Sequence, residues 1–538
     1  MIKSLLLITL TAGAPTGILE AYTAPPNRVK MLYTALSPLS LQQHLALYEL
    51  YPDCPEGQKA FAEGWSLIAG EDLNSMVLPS CQIADAIVSM VNKQPNSCFP
   101  ELSDQQLQQI ERLGKGLPNR QLKGFEASSE EMVLSLQPSE IDLARALFIS
   151  QFGNTPTALR DVRCYEAMVD LIALQIRAQF PKNATHREKI DAINHYIFIE
   201  QGFRFPPQSI YAKEIDLYTF LPSVLDCRQG VCLGISLLYL SLAQRLDLPL
   251  EIITPPGHIY VRYADGNEMI NIETTARGVH FDTETYYGID TFALAPRTIK
   301  EAIGMAHFNQ ASLHLQTNDF QKALDAYEIA LKYIPDDRQI HELMGYCLVL
   351  TGNMERGRLF LQRSIAITEP GSIPSCRAAD DYLQSAVGDD GLKVLFQPVD
   401  ETRSSIIAKQ QALQLIVNKY PRFRDGLFAL ATTWIQLHRL NEAMAILQRY
   451  HELDPTDPKV EYYLAQLHME RFNYPSSWKH LRNAEALVFA YTPKSKILTE
   501  LRKALSAKAK ELRAAGVLEG CQPKTLILHD ETSHAALP

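Results

Sequence analysis

Small residues and prolines recur 34 residues apart in the C-terminal part of this 538-residue sequence: Ala311 with Gly345, Ala323 with Gly357, Ala431 with Ala465, and Pro421 with Pro455. A unit of that length is one supersecondary element, too small to bury its own apolar face, so successive units must stack to make a continuous core. A single compact core is thereby excluded for this region. The clearest copy carries Ala311, Ala323, Tyr327, Ala330 and Pro335. Its small residues let two antiparallel helices approach closely, and the proline ends the second helix.

Period and pattern resemble tetratricopeptide repeats. The copy ending at Pro455 keeps Leu430, Ala431 and Ala443, whereas Ser364 and Ser477 stand where alanine is usual. The solenoid is expected over residues 300–516. It is interrupted near 370–403, where Asp, Gly, Ser and Pro break the phase and read as a loop or irregular insertion. A last helix from Lys494 to Arg513 carries Lys494, Lys496, Arg502, Lys503, Lys508, Lys510 and Arg513. It reads as the solvated cap of the solenoid, with an acidic or membrane partner as the alternative. Residues 517–538 read as a tail.

Hydrophobic residues make up 46% of the chain and charged residues 21%, which is the balance of a folded protein. The net charge of -10 argues against a nucleic-acid partner bound through overall positive charge. After the amino terminus no run of ~20 apolar residues occurs, so no transmembrane span is expected. Residues 1–29 offer Lys3, an apolar run from Ser4 to Leu10 and small Ala12-Gly13-Ala14, which read as a signal peptide or as an N-terminal helix. Export and a cytoplasmic location both stay open. Residues 30–154 read as a helical region, with Ser103 and Gln106 spaced as a capping box.

The pattern changes over residues 155–299. From Gly230 to Leu246 the chain is apolar on nearly every side, the mark of a buried helix. Three strand-like runs follow: Leu250 to Ile253, His258 to Tyr263, and Met269 to Glu273. Asp265-Gly266 is the hairpin signal between the last two. Taken as a two-residue loop, it pairs Ala264 with Asn267, sets His258 directly opposite Glu273, and sets Asn271 opposite Tyr260. The architecture expected is α+β, a helical region, a mixed domain with a small antiparallel sheet, and an α-solenoid.

These residues suggest nucleophilic chemistry. Cys232 stands at the head of the buried helix, where free backbone N–H groups and the helix dipole favour a thiolate and could also receive an oxyanion. His258 is the candidate base and acid, and Glu273 the group that orients its ring, with Asn271 as runner-up. Gln229 is a candidate oxyanion donor or a helix cap. Tyr260 and Arg262 read as ordinary strand residues or as cleft lining. Cys227 and Cys232 could instead begin a zinc site with His280, or form a disulfide, but no second cysteine pair follows at zinc spacing.

The order Gly-x-Cys, Gly-His and an acid on the next strand resembles the transglutaminase-like branch of the papain-fold cysteine enzymes. More narrowly, it resembles the bacterial branch joined to tetratricopeptide repeats. The matching text includes Gly202-Phe203, Arg228-Gln229-Gly230, Pro256-Gly257-His258 and Ile272-Glu273-Thr274. The resemblance implies a nucleophile at Cys232 and a base at His258, with Glu273 in place of the family's Asp. It implies a peptide or amide hydrolase or a cross-linking acyltransferase, with no metal or organic cofactor and with the repeats recruiting a protein partner. The alternative is a non-catalytic interaction scaffold, since the repeat-fused branch includes members that lack the nucleophile.

Overall fold

A computed structural model describes residues 26–69, 81–206, 218–368, 371, 373, 377–400, 402–491 and 495–514. The signal-like run, Pro207, Lys494 and the tail lie outside the described residues. The chain divides into two compact units. One comprises the described residues up to Gly116 with Asp170–Ala184, and the other comprises Leu117–Val169 with the described residues from Thr185 onward. The dividing line falls within a single helix, Pro156–Arg177.

The first unit is helical, with Pro26–Thr34, Leu41–Leu50, Pro55–Ala69, Cys81–Val91 and Asp104–Leu113. Leu45, Ala60, Phe61, Ile68, Ile87 and Leu107 are buried in it. Ser103 and Gln106 form the capping box that their spacing predicts, each side chain accepting from the other residue's backbone N–H at the start of Asp104–Leu113.

The second unit is built around the helix Cys232–Arg245, in which Leu233, Ile235, Leu237, Leu238 and Tyr239 are all fully buried. Gln244 fastens it to the preceding chain, accepting from Leu143 N at 3.0 Å and donating to Ile141 O at 3.0 Å. Arg245 lies wholly buried with Asp142 Oδ1 at 3.7 Å. Gly234 explains one of the small residues in this helix: a Cβ there would stand 2.2 Å from the Tyr218 carbonyl oxygen. Gly234→Ala is therefore expected to destabilise the unit by about 1–3 kcal/mol through overpacking. Urea unfolding followed by circular dichroism reads that loss as a lower midpoint.

Against this helix lies a four-stranded antiparallel sheet of order β3-β2-β1-β4, with β1 Glu251–Ile253, β2 Tyr260–Ala264, β3 Met269–Ile272 and β4 Pro296–Arg297. The hairpin register differs from the sequence expectation. Ala264 pairs with Met269 and Arg262 with Asn271, so the loop has four residues, Asp265 to Glu268. The cause is Asp265, whose Oδ1 accepts from Asn267 N at 2.9 Å and Glu268 N at 2.8 Å. A side chain closes the turn where the two-residue reading assumed ladder bonds.

The α+β architecture continues into the helical repeats, from Ile299–Gln316 and Phe320–Tyr333 onward. Ala311, Ala323, Tyr327 and Ala330 are fully buried, as close helix packing requires. The Asp- and Gly-rich stretch holds two short helices, Arg377–Leu383 and Asp389–Leu395, where composition reads as a loop. Ala378, Ala379, Tyr382 and Leu392 pack with Leu361, Ile416 and Phe423, so the core runs through the interruption. In the last helix, Lys496–Ala514, Leu498, Leu501 and Leu505 cover Ala465, Leu481 and Ala484, which makes it a cap. Its basic face is partly paired, as Arg502 with Glu485 and Lys508 with Glu511.

Candidate active site

The approach to Cys232 is fixed by backbone. Arg228 adopts a left-handed conformation, φ 54°, which ends the helix Leu221–Cys227. Arg204 then brackets the turn, donating to Arg228 O at 3.2 Å and accepting from Gly230 N at 3.1 Å. Gln229 sits in this bridge, three residues before the cysteine. Val231 is the N-cap, and Cys232 is the first residue of the buried helix. The first-turn N–H groups there have no partner within the helix, so Cys232 stands at the positive end of the helix dipole. Cys227 and Cys232 are both free thiols, and Cys227 Sγ donates to Gln229 O at 3.3 Å.

His258 lies two residues before β2 and Glu273 one residue after β3. With the four-residue loop they are no longer directly opposed, yet the shift moves each partner by two residues and leaves both side chains on one face. Such a diagonal pair is within reach of a long side chain. Glu273 Oε2 meets His258 Nε2 at 2.6 Å. The extra methylene relative to aspartate thus covers the diagonal. Asn271 is engaged elsewhere. It pairs with Arg262 and not Tyr260, and its Nδ2 donates to Phe281 O at 2.7 Å and Thr283 Oγ1 at 3.1 Å. It holds the loop beyond β3 and does not orient the imidazole. Arg262 is paired with Glu251 at 2.8 Å, and His280 Nδ1 accepts from Asn271 N at 3.0 Å.

The carboxylate is held at both oxygens. Oε1 accepts from Thr275 N at 3.1 Å and Thr275 Oγ1 at 2.6 Å, and Oε2 also accepts from Tyr286 OH at 2.9 Å. Burial pushes the Glu273 carboxyl up, but the bonds from His258 and Thr275 outweigh it and hold the group below the ordinary carboxylate range. His258 is pushed up to about 9 by hydrogen bonding with Cys232 first and Glu273 second, against the opposing effect of burial. Cys232 and Glu273 therefore act on one imidazole. With Nε2 engaged by the carboxylate, Nδ1 is the nitrogen left for the thiol.

Two further contacts tie the acid to the cysteine's helix. Thr274, next to Glu273, shares a bond with Ser236 Oγ at 3.1 Å and donates to Cys232 O at 3.4 Å. Gly278, at φ 80°, donates its N–H to Glu273 O at 2.8 Å, and a Cβ there would collide with the Asn194 side chain. Sequence reasoning missed Thr275 and Tyr286. Only the paired aromatics Tyr286-Tyr287 in an otherwise polar stretch marked the second. The Tyr286 ring lies 4.3 Å from that of Tyr260 and 5.8 Å from that of His258, stacked on both.

Parts of the chain are similar to known proteins. The family described as "Transglutaminase-like superfamily" matches residues 163–292, and "Tetratricopeptide repeat" matches 308–372. F-box only protein 21 of Homo sapiens is 26% identical over 187 residues, covering 31% of this chain and 28% of that protein. The mouse protein of the same name matches equally. The chain thus spans little more than a quarter of the length of these relatives. A UPF0162 protein of Xylella fastidiosa (strain 9a5c) is 21% identical over 221 residues, covering 38% of this chain and 78% of that protein. Among solved structures, MamA MSR-1 C2 is 19% identical and covers 34% of this chain and 95% of its own, with a TM-score of 0.18. MamA from Desulfovibrio magneticus RS-1 is 14% identical and covers 35% and 96%, also at 0.18. Residues 163–292, which contain Cys232, His258 and Glu273, thus form a transglutaminase-like domain, and tetratricopeptide repeats follow it.

Proposed function

We propose that this chain is a cysteine acyl-transfer enzyme. The observation that carries the reading is one imidazole bonded at Nε2 by a buried carboxylate and acted on by the thiol at a helix start. Cys232 Sγ attacks the carbonyl carbon of a peptide or side-chain amide, and His258 takes the thiol proton. The oxyanion of the tetrahedral intermediate faces the first-turn N–H groups, with Gln229 as a further donor. As the C–N bond breaks, His258 returns the proton to the leaving amine. The thioacyl group then passes to water, giving hydrolysis, or to a second amine, giving a cross-link. The repeats recruit the protein that carries the amide.

Exposure to p-nitrophenyl acetate tests this without knowledge of the substrate. The expected result is one acetyl group per chain, found on the Cys232 peptide by mass spectrometry and removed by hydroxylamine. Acetylation only at lysines, or at several cysteines alike, contradicts the enzyme reading and leaves the interaction scaffold.

A further inference from the structure

One turn of chain touches the site and the far end of the repeats at once. In the short helix Thr283–Tyr286, Tyr286 bonds Glu273, while its neighbour Thr285 accepts from Lys496 Nζ at 3.2 Å. Lys496 opens the last helix of the solenoid, about two hundred residues further along the chain. The next residues continue the attachment. Asp290 pairs with Lys459 at 2.5 Å, Ile289 packs on the cluster of Ala465, Leu481 and Val488, and the Phe292 ring lies 5.5 Å from that of Tyr491. The interrupting stretch adds backbone bonds, from Phe292 N to Gly371 O at 2.8 Å and from Ile373 N to Asp290 O at 2.8 Å.

We propose that residues 282–293 are a strap through which the last repeats hold Tyr286 in place, and that Tyr286 is a positioning residue for the His258–Glu273 pair. The inference rests on the acyl-transfer reading for its purpose but not for its geometry. Tyr286 contributes a donor to the same carboxylate oxygen that His258 uses, and its ring covers one face of the imidazole. No contact of Tyr286 alone would fix it, because its helix is a single turn. Asn271 holds the start of the strap at Phe281 O and Thr283 Oγ1, and the contacts that hold the rest of it are on the solenoid. A partner that pulls Lys459, Tyr491 or Lys496 away from the strap would therefore loosen the pair without touching it.

The groups facing His258 are Cys232, Glu273 and the Tyr286 ring, so releasing the strap admits water to the carboxylate and screens it from the imidazole. The test uses the full chain carrying Lys459→Met and Tyr491→Ala, with Lys419→Ala as a repeat control away from the strap. Two readouts need no turnover: hydrogen exchange over residues 283–292, and the His258 titration by NMR of histidine-labelled protein. The expected result is faster exchange and a His258 midpoint lowered by about one pH unit or more, toward the ordinary ~6.5. Tyr286→Phe, which keeps the ring, is expected to lower it less, and the control not at all. Faster exchange with an unmoved midpoint overturns the positioning role, and unchanged exchange overturns the anchors. If His258 responds as expected but Cys232 is never acylated, the proposed function fails while the strap stands.

Discussion

Cys232→Ala is expected to abolish acetylation by p-nitrophenyl acetate at this site, and His258→Ala to slow it by about 10²–10⁴-fold, the range in which a positioned base acts. The two losses differ in kind. Without Cys232 there is no sulfur to hold the acyl group. Without His258 the thiol must ionise unaided, whereas the p-nitrophenolate leaves unprotonated in either protein. Glu273→Gln separates orientation from charge. The amide still reaches the diagonal from β3, but its nitrogen can only donate, and it turns the imidazole toward the wrong tautomer. Its loss is expected to approach that of His258→Ala. Stopped-flow release of p-nitrophenolate measures all three. A Glu273→Gln rate equal to wild type would mean that the 2.6 Å bond plays no part in the chemistry.

Asp142→Ala is expected to destabilise the second unit by about 3–5 kcal/mol, because it removes a buried carboxylate from beside a buried guanidinium and the cap of the helix Leu143–Phe152 with it. Both side chains of the Arg245–Asp142 pair are fully inaccessible. Arg245 Nη1 also donates to Ser241 O at 3.1 Å, so the cation is fixed within the helix that begins at Cys232. Asp142 makes two further bonds. Its Oδ1 caps the helix Leu143–Phe152 at Arg145 N, 3.2 Å away, and its Oδ2 accepts from Asn119 Nδ2 at 2.7 Å. Asp142→Asn retains the cap, worth about 1 kcal/mol, and loses the charge. The asparagine variant should therefore recover about 1 kcal/mol of the alanine loss. Urea unfolding, read from the slowest-exchanging amides of Cys232–Arg245, checks both. Equal stability for Asp142→Ala and wild type would show that the buried pair contributes nothing.

The period in the repeats and the apolar helix after Gly230 were legible because each is a repeated pattern in one dimension. So were the placements of Cys232 at a helix start and of His258 and Glu273 at the ends of neighbouring strands, which follow from local signals. The hairpin register was not, because it depends on whether Asp265 turns its side chain onto the backbone at Asn267 and Glu268. The face of His258 and Glu273 was still read correctly, since a shift of two residues preserves the alternation of a strand. Arg377–Leu383 and Asp389–Leu395 escaped because seven-residue helices are too short to show a period. Tyr286 escaped for a different reason: its segment is also held through Thr285, Asp290 and Phe292 by Lys496, Lys459 and Tyr491, which no local pattern links to it.

The central claim is that thiol, imidazole and carboxylate form one unit, and the pH dependence of Cys232 alkylation by iodoacetamide tests it most directly. The imidazolium is fully present below the ordinary 6.5 and is lost as pH rises through about 9. The rate at the Cys232 peptide should therefore exceed that of His258→Ala at and below neutral pH, where the imidazolium favours the thiolate, and that excess should fade as pH rises through about 9, and at lower pH in Glu273→Gln. A wild-type profile that superimposes on that of His258→Ala would contradict the account.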